Sequence, residues 1–199
     1  MIIPQMLTLS RIIFAPVFSY LFIYSFKSEN PALLLWLSVA MLTLVEISDA
    51  LDGFFARKLK QVSDFGKLFD PMADSLSRLT VFLGFLVAGI IPLWMFLIFL
   101  YRDIFVSGLR MRCLMKGMVV SARVSGKLKA IIQAIAGFGV TGLHLVDYYQ
   151  PGMVPETITG NPPGYYFVLV AAIFTAGSFL DYYYGNRHVW GDKDEHTSA

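Results

Sequence analysis

Long apolar runs alternate with short polar or Pro/Gly breaks along the whole chain. The runs cover Met6 to Phe26, Pro31 to Phe55, Phe65 to Ile91, Pro92 to Leu114, Val124 to Val146 and Tyr165 to Tyr184. Each approaches or exceeds the ~20 residues that a helix needs to cross a hydrocarbon core of ~30 Å. The pattern therefore predicts an all-α, polytopic membrane protein with six transmembrane helices. Residues 1–185 form one membrane domain in this reading, and residues 186–199 a polar C-terminal tail. There is no internal repeat, low-complexity tract or linker, which argues against a transporter built from two similar halves.

Composition agrees with the pattern and removes the soluble alternatives. Of 199 residues, 56% are hydrophobic and only 15% charged, with a mean hydropathy of +0.62. That leaves too little polar surface to clothe a soluble globule, and no nucleic-acid partner is expected. Lysine and arginine then set the orientation. Arg11, the group Arg57, Lys58, Lys60 and Lys67, the group Arg110 to Lys129, and Arg187 with Lys193 fall at alternate ends of the runs, so they share one side. The opposite loops hold Lys27 near Glu29 and, from Asp147 to Gly164, no Lys or Arg at all. By the positive-inside rule both termini are cytoplasmic. The opening Met-Ile-Ile-Pro lacks a basic n-region and a small-residue cleavage site, so the first run is expected to stay as an anchor. One cysteine, Cys113, excludes an intramolecular disulfide framework and reads as a small packed hydrophobe.

Carboxylates inside the second and third runs break this picture. A charge at bilayer depth costs roughly 2.5–3.5 kcal/mol on insertion scales, so four together represent on the order of 10 kcal/mol. The chain reads Asp49-Ala-Leu-Asp52-Gly53-Phe-Phe-Ala56-Arg57, then eight residues, Gly66, three more, Asp70, three more and Asp74. Offsets of three, four and seven put Asp49, Asp52, Gly53 and Ala56 on one helical face, and Gly66, Asp70 and Asp74 on one face of the next helix. Two carboxylate pairs can then face each other.

Oxygen ligands on adjacent rigid helices suit hard divalent cations, Mg²⁺ or Mn²⁺, and two such ions clamp a phosphoryl group during displacement. Gly53, Ala56 and Gly66 remove side chains beside the acids and leave room for a nucleotide. Arg57 adds a planar, permanently charged fork for a phosphate, although the positive-inside rule alone also accounts for a cation there.

The string D-x-x-D-G-x-x-A-R-x8-G-x3-D-x3-D resembles the signature of the CDP-alcohol phosphatidyltransferase family at every fixed position. Ile3-Pro4-Gln5-Met6-Leu7-Thr8-Leu9-Ser10-Arg11, followed by Pro16, is similar to the amino end of the family's glycerophosphate-using members. The likeness weakens after Ala136. The resemblance implies six helices around a polar cavity open to the cytoplasm, usually in a homodimer, within a bacterial cell membrane. It implies two metal ions held by Asp49, Asp52, Asp70 and Asp74, with Asp74 also the general base. Asp49, Asp52, Gly53, Ala56, Arg57, Gly66 and Asp70 would bind the CDP-diacylglycerol. The implied reaction moves a phosphatidyl group from that lipid to a small alcohol and releases CMP.

Which alcohol depends on whether a second anion site exists. Tyr101-Arg102-Asp103-Ile104-Phe105-Val106-Ser107-Gly108-Leu109-Arg110 resembles the A-R-E-x4-G-L-R segment of glycerophosphate-using members, and Gly126-Lys127-Leu128-Lys129 resembles their G-K-x-K. Asp103 and Arg110, seven apart, share a face. Arg110, Lys127 and Arg123 are therefore the expected acceptor-phosphate cations, with sn-glycerol 3-phosphate as acceptor. Inositol phosphate or another small alcohol is the alternative.

Two departures complicate the assignment. Ser75-Leu76-Ser77-Arg78 stands where glycerophosphate users carry Lys after the fourth Asp, and Glu46 replaces a small residue. Either can signal another acceptor. The simpler reading is that Glu46 and Arg78, each about one turn deeper than the aspartates, form a buried ion pair. Asp181 reads as interfacial, and His144, His188 and His196 have no ligand spacing. A reading of another class stays open on the residues alone: a cation carrier or channel whose aspartates bind the transported ion.

Overall fold

The structure, a computed structural model, describes residues 3–59, 64–115 and 124–186, and side chains for Met6 and for residues 8–51, 71–113 and 124–186. Six helices follow one another: α1 (Ile3–Ser25), α2 (Pro31–Leu59), α3 (Asp64–Val87), α4 (Leu93–Met115), α5 (Val124–Tyr149) and α6 (Pro163–Gly185). They contain 23 to 29 residues each, and there is no strand among the described residues. The second run continues past Phe55 to Leu59, and the fifth past Val146 to Tyr149. Helical hydrogen bonding persists where hydropathy has already fallen, so composition marks the apolar stretch rather than the end of the helix.

Among the described residues, four helical stretches are apolar and long enough to cross a membrane: Thr8–Ser25, Pro31–Leu51, Val124–Tyr149 and Pro163–Gly185. Helices α3 and α4 match them in length but carry more charge, including Asp74 and Arg78 in α3 and Arg102, Asp103, Arg110 and Arg112 in α4. The outward faces are apolar, with Ile13, Leu33, Trp36, Ile131, Ile135 and Ile173 all more than half exposed. The inward faces hold charge: Arg11, Arg78, Arg102, Asp103 and Lys129 are all buried. Such a distribution suits a lipid surround, where inward-facing ionisable groups find partners.

Local chemistry explains how the helices stop and pack. At the end of α3, Gly89 takes a left-handed φ of +75°. Ile90 N–H then bonds Phe85 O and Gly89 N–H bonds Leu86 O, each at 3.0 Å. This is a Schellman closure, which turns the chain directly into α4. Helix α1 packs on α2 and α3, α5 on α2 and α6, and α4 on α3 and α6. The core between them is strongly aromatic, with Phe85 edge-on to Phe18 and Phe22 at 5.9 and 5.2 Å and Phe82 stacked on Phe99 at 4.3 Å. Helices α5 and α6 approach so closely that a Cβ at Gly139 would lie 2.5 Å from the Phe167 ring. Ser38, Thr43, Thr80, Thr141 and Thr175 each donate to the carbonyl four residues back. Their hydroxyls thus need no water.

Because the helices alternate in direction, the starts of α1, α3 and α5 meet the ends of α2, α4 and α6. Contacts from Arg11 to Asp49, Lys129 to Asp103 and Ser125 to Asp181 lie at that end. The opposite end is tied by Trp36 Nε1, which donates to Tyr149 OH at 3.1 Å.

Candidate active site

Asp49 lies in the second half of α2 and Asp74 in the first half of α3, and the same two arginines, Arg11 and Arg78, reach both. The structure also supplies what neutralises them. Arg11 Nη1, from α1, pairs with Asp49 Oδ1 and lies 3.9 Å from Asp74 Oδ1. Arg78 Nε donates to Asp74 Oδ1 at 2.9 Å, and Nη1 of the same guanidinium donates to Glu46 Oε1 at 3.2 Å and to the Ala130 carbonyl at 3.1 Å. Its Nη2 lies 3.6 Å from Asp49 Oδ2.

The Glu46–Arg78 pair expected from the sequence is therefore present, but as one edge of a larger network. Arg78 binds three carboxylates on two helices and a backbone carbonyl on a third. A planar guanidinium with donors on three nitrogens can do this, whereas the point charge of a lysine cannot. Arg78 and Arg11 are almost fully enclosed, while Asp74 keeps 34% of its side-chain surface accessible and Asp49 41%. The cations are sealed beneath; the acids look outward. Both ion pairs of Asp74 use Oδ1, and Oδ2 has no hydrogen bond among the described residues.

Asp52, Gly53, Ala56, Arg57, Gly66 and Asp70 lie on the described backbone of α2 and α3, but their side chains are outside the described residues. The helical backbone keeps Asp52 and Gly53 within one turn of Asp49, and Asp70 one turn before Asp74. Among the described residues no three acids are grouped closely enough to hold a metal ion. Glu46, Asp49 and Asp74 already outnumber Arg11 and Arg78, and two further acids on the same helical faces deepen the negative excess.

A second polar centre joins α4, α5 and α6. Asp103, buried, accepts from Lys129 Nζ at 2.6 Å and from Arg102 Nη1 at 2.8 Å. Arg102 Nε donates to Ser178 Oγ at 3.1 Å. Lys129 is also within electrostatic range of Asp74, which links the two centres. Of the expected acceptor cations, Arg110 is half-buried and donates to Tyr182 OH at 3.3 Å. Lys127 is exposed, and Arg123 lies outside the described residues. Within the G-K-x-K segment it is thus Lys129 that turns inward, since two residues of helix rotate the side chain by about 200°.

Sequence reasoning missed Arg11, Lys129, Arg102 and Tyr182 as parts of the site. Along the sequence Arg11 reads as a cation of the membrane edge and Lys129 as the last residue of the G-K-x-K segment. A signal for Arg11 was present: it interrupts an otherwise apolar helix, and a lone cation there demands a partner. Asp181, expected at the interface, accepts from Ser125 Oγ at 2.5 Å across to α5. His144 packs edge-on to Phe22 and Phe26, and Cys113 is buried.

Fold and site together define an all-helical protein of apolar exterior with a carboxylate-rich polar centre at one end of the bundle. The chain belongs to the CDP-alcohol phosphatidyltransferase family, whose sequence profile matches residues 1–176, and it is a phosphatidyltransferase. It is similar to a CDP-diacylglycerol–glycerol-3-phosphate 3-phosphatidyltransferase of Bacillus subtilis, at 30% identity over 191 residues, 92% of this chain and 94% of that protein. Proteins of the same name from Treponema pallidum and Cereibacter sphaeroides are 35% identical over 124 residues and 32% identical over 164. The first of these matches spans 57% of this chain and 56% of the relative, the second 77% and 71%.

Proposed function

We propose that the protein transfers the phosphatidyl group of CDP-diacylglycerol to sn-glycerol 3-phosphate, giving phosphatidylglycerol phosphate and CMP in phospholipid biosynthesis. The observation that carries this reading is the near full-length similarity to the Bacillus subtilis protein, whose name states that donor and acceptor. The site chemistry is compatible with it. Among the described residues Asp74 Oδ2 has no hydrogen bond, and the accessible side chain is held in place by Arg78 and Arg11 through Oδ1.

In this mechanism Asp74 takes the proton of the acceptor hydroxyl. The freed oxygen attacks the phosphorus that bears the diacylglycerol, a new P–O bond forms, and the bond to the bridging oxygen breaks. CMP leaves with that oxygen, and the proton on Asp74 returns to solvent. Asp49, Asp52, Asp70 and Asp74 would hold two Mg²⁺ or Mn²⁺ ions, which neutralise phosphate charge when bound. Gly53, Ala56 and Gly66 leave space for the nucleotide, and Arg57 offers its fork to a phosphate. Arg110, with Arg123 and Lys127 at the rim, would receive the acceptor's dianion.

All six helices span the membrane in this reading, with the polar end and both termini on the cytoplasmic side of a bacterial cell membrane. The protein acts as a homodimer. One assay tests the function. Purified protein with CDP-diacylglycerol and Mg²⁺ or Mn²⁺ is offered glycerol 3-phosphate, inositol phosphate, serine and glycerol, and CMP release is followed. Release with glycerol 3-phosphate alone is expected. Preference for inositol phosphate would replace the named acceptor, and absence of CMP release with every acceptor would restore the carrier reading.

A further inference from the structure

Tyr182 of α6 stands between two arginines of α4. It is only 1% exposed, in a small apolar cluster with Val106, Leu109 and Cys113. On one side Arg102 lies over its ring, 5.4 Å from the centroid. Arg102 is itself immobilised by Asp103 and Ser178. At the hydroxyl end, Arg110 Nη2 donates to the phenol oxygen at 3.3 Å. Helix α5 closes the third side through Gly126, where a Cβ would come within 3.2 Å of Tyr182 OH and 3.7 Å of Arg102 Nη2. Glycine is a poor helix former, so its presence inside α5 is understandable as clearance for this phenol. Next to it, Ser125 Oγ donates to Asp181 at 2.5 Å and locks α5 to α6 beside Tyr182.

The phenol is thus held from two neighbouring helices, α4 and α5, while the arginine at its hydroxyl is half-buried and otherwise without a hydrogen bond among the described residues. A free arginine side chain samples many rotamers, and fixing it before a ligand arrives removes part of the entropy cost of binding. From this arrangement we infer that Tyr182 is a positioning residue for the acceptor site: its hydroxyl fixes the Arg110 guanidinium so that the remaining N–H donors meet the acceptor's phosphate in one orientation. The inference rests on the assignment of Arg110 to that phosphate. It adds a residue outside the signature motif and a role for Gly126 as the clearance that lets the phenol reach Arg110.

The test compares wild type, Tyr182→Phe, Arg110→Ala and the double variant in the CMP-release assay, with thermal unfolding of each in detergent. Tyr182→Phe keeps the ring on Arg102 and removes only the oxygen. It is expected to raise KM for glycerol 3-phosphate by about 3–10-fold, the scale set by one immobilised side chain. KM for CDP-diacylglycerol, kcat and the unfolding midpoint are expected to stay close to wild type. In the Arg110→Ala background the same change is expected to add nothing, because its effect passes through Arg110. Equal penalties in both backgrounds, or a joint loss of kcat, both KM values and thermal stability, would identify Tyr182 as packing alone and overturn the inference. If Arg110→Ala itself leaves glycerol 3-phosphate use unchanged, the phosphate assignment fails and the inference with it. If Arg110→Ala is damaging while Tyr182→Phe is silent, only the inference fails.

Discussion

Arg78 and Asp74 stand one turn apart on α3, and Nε of the arginine donates to Oδ1 of the aspartate at 2.9 Å. The same guanidinium reaches Glu46 and the Ala130 carbonyl, so the proposed general base is tied to α2 and α5 through a single side chain. Position and charge of Asp74 thus depend on a residue outside the signature motif.

Loss of Arg78 should therefore be severe. Arg78→Leu strips the partner from several partly buried acids at once and is expected to cost on the order of 3–5 kcal/mol, the range for breaking a buried pair. A simple pair would be rescued by Glu46→Leu in the same chain. Here rescue should be only partial, because Asp74 still lacks its nearest cation and Asp49 keeps Arg11 alone. Thermal unfolding of the single and double variants decides it; full rescue would reduce Arg78 to the partner of Glu46.

Asp74→Asn keeps the shape and one acceptor oxygen but cannot take a proton. The rate is expected to fall by ~10²–10⁴ while CDP-diacylglycerol binding largely persists. Binding measured with a non-reacting CDP-lipid, set against CMP release, separates the two. An equal fall in both would make Asp74 a ligand without a base role.

The metal proposal predicts that a chelator abolishes CMP release and that added Mg²⁺ or Mn²⁺ restores it. Asp52→Ala should abolish turnover while the protein stays folded and inserted, since removing a charge from a membrane helix does not harm insertion. Near-normal activity of Asp52→Ala would end the two-ion arrangement.

Among the acceptor cations, Arg110→Ala should weaken use of glycerol 3-phosphate by ~10–150-fold, corresponding to about 1.5–3 kcal/mol for a charge-assisted hydrogen bond. Lys127→Ala should do less, because its side chain is exposed and solvent screens it. A larger effect at Lys127 than at Arg110 would reverse the order of the pocket.

Packing between α5 and α6 gives a test independent of chemistry. Gly139→Ala puts a methyl group into the Phe167 ring, and overpacking of this kind costs about 1–3 kcal/mol. The unfolding midpoint should drop without a selective change in either KM.

Much of this molecule is local in origin and hence readable along the chain. Apolar runs of membrane length predict six helices, and six helices form. Spacings of three, four and seven place Asp49 with Asp52 and Gly53, and Asp70 with Asp74, on common faces, because helical periodicity needs no knowledge of a neighbour. The signature motif that marks the family is legible for the same reason. What the tertiary structure alone decided is which charge meets which. Arg11 crosses from α1 to Asp49, Arg78 gathers acids from α2 and α3, Lys129 rather than Lys127 turns to Asp103, and Tyr182 settles between Arg102 and Arg110. These pairings depend on the rotation and stagger of each helix against the next. Those are set by the interlocking of distant side chains such as Phe85 with Phe18 and Gly139 with Phe167, to which periodicity within one helix is blind.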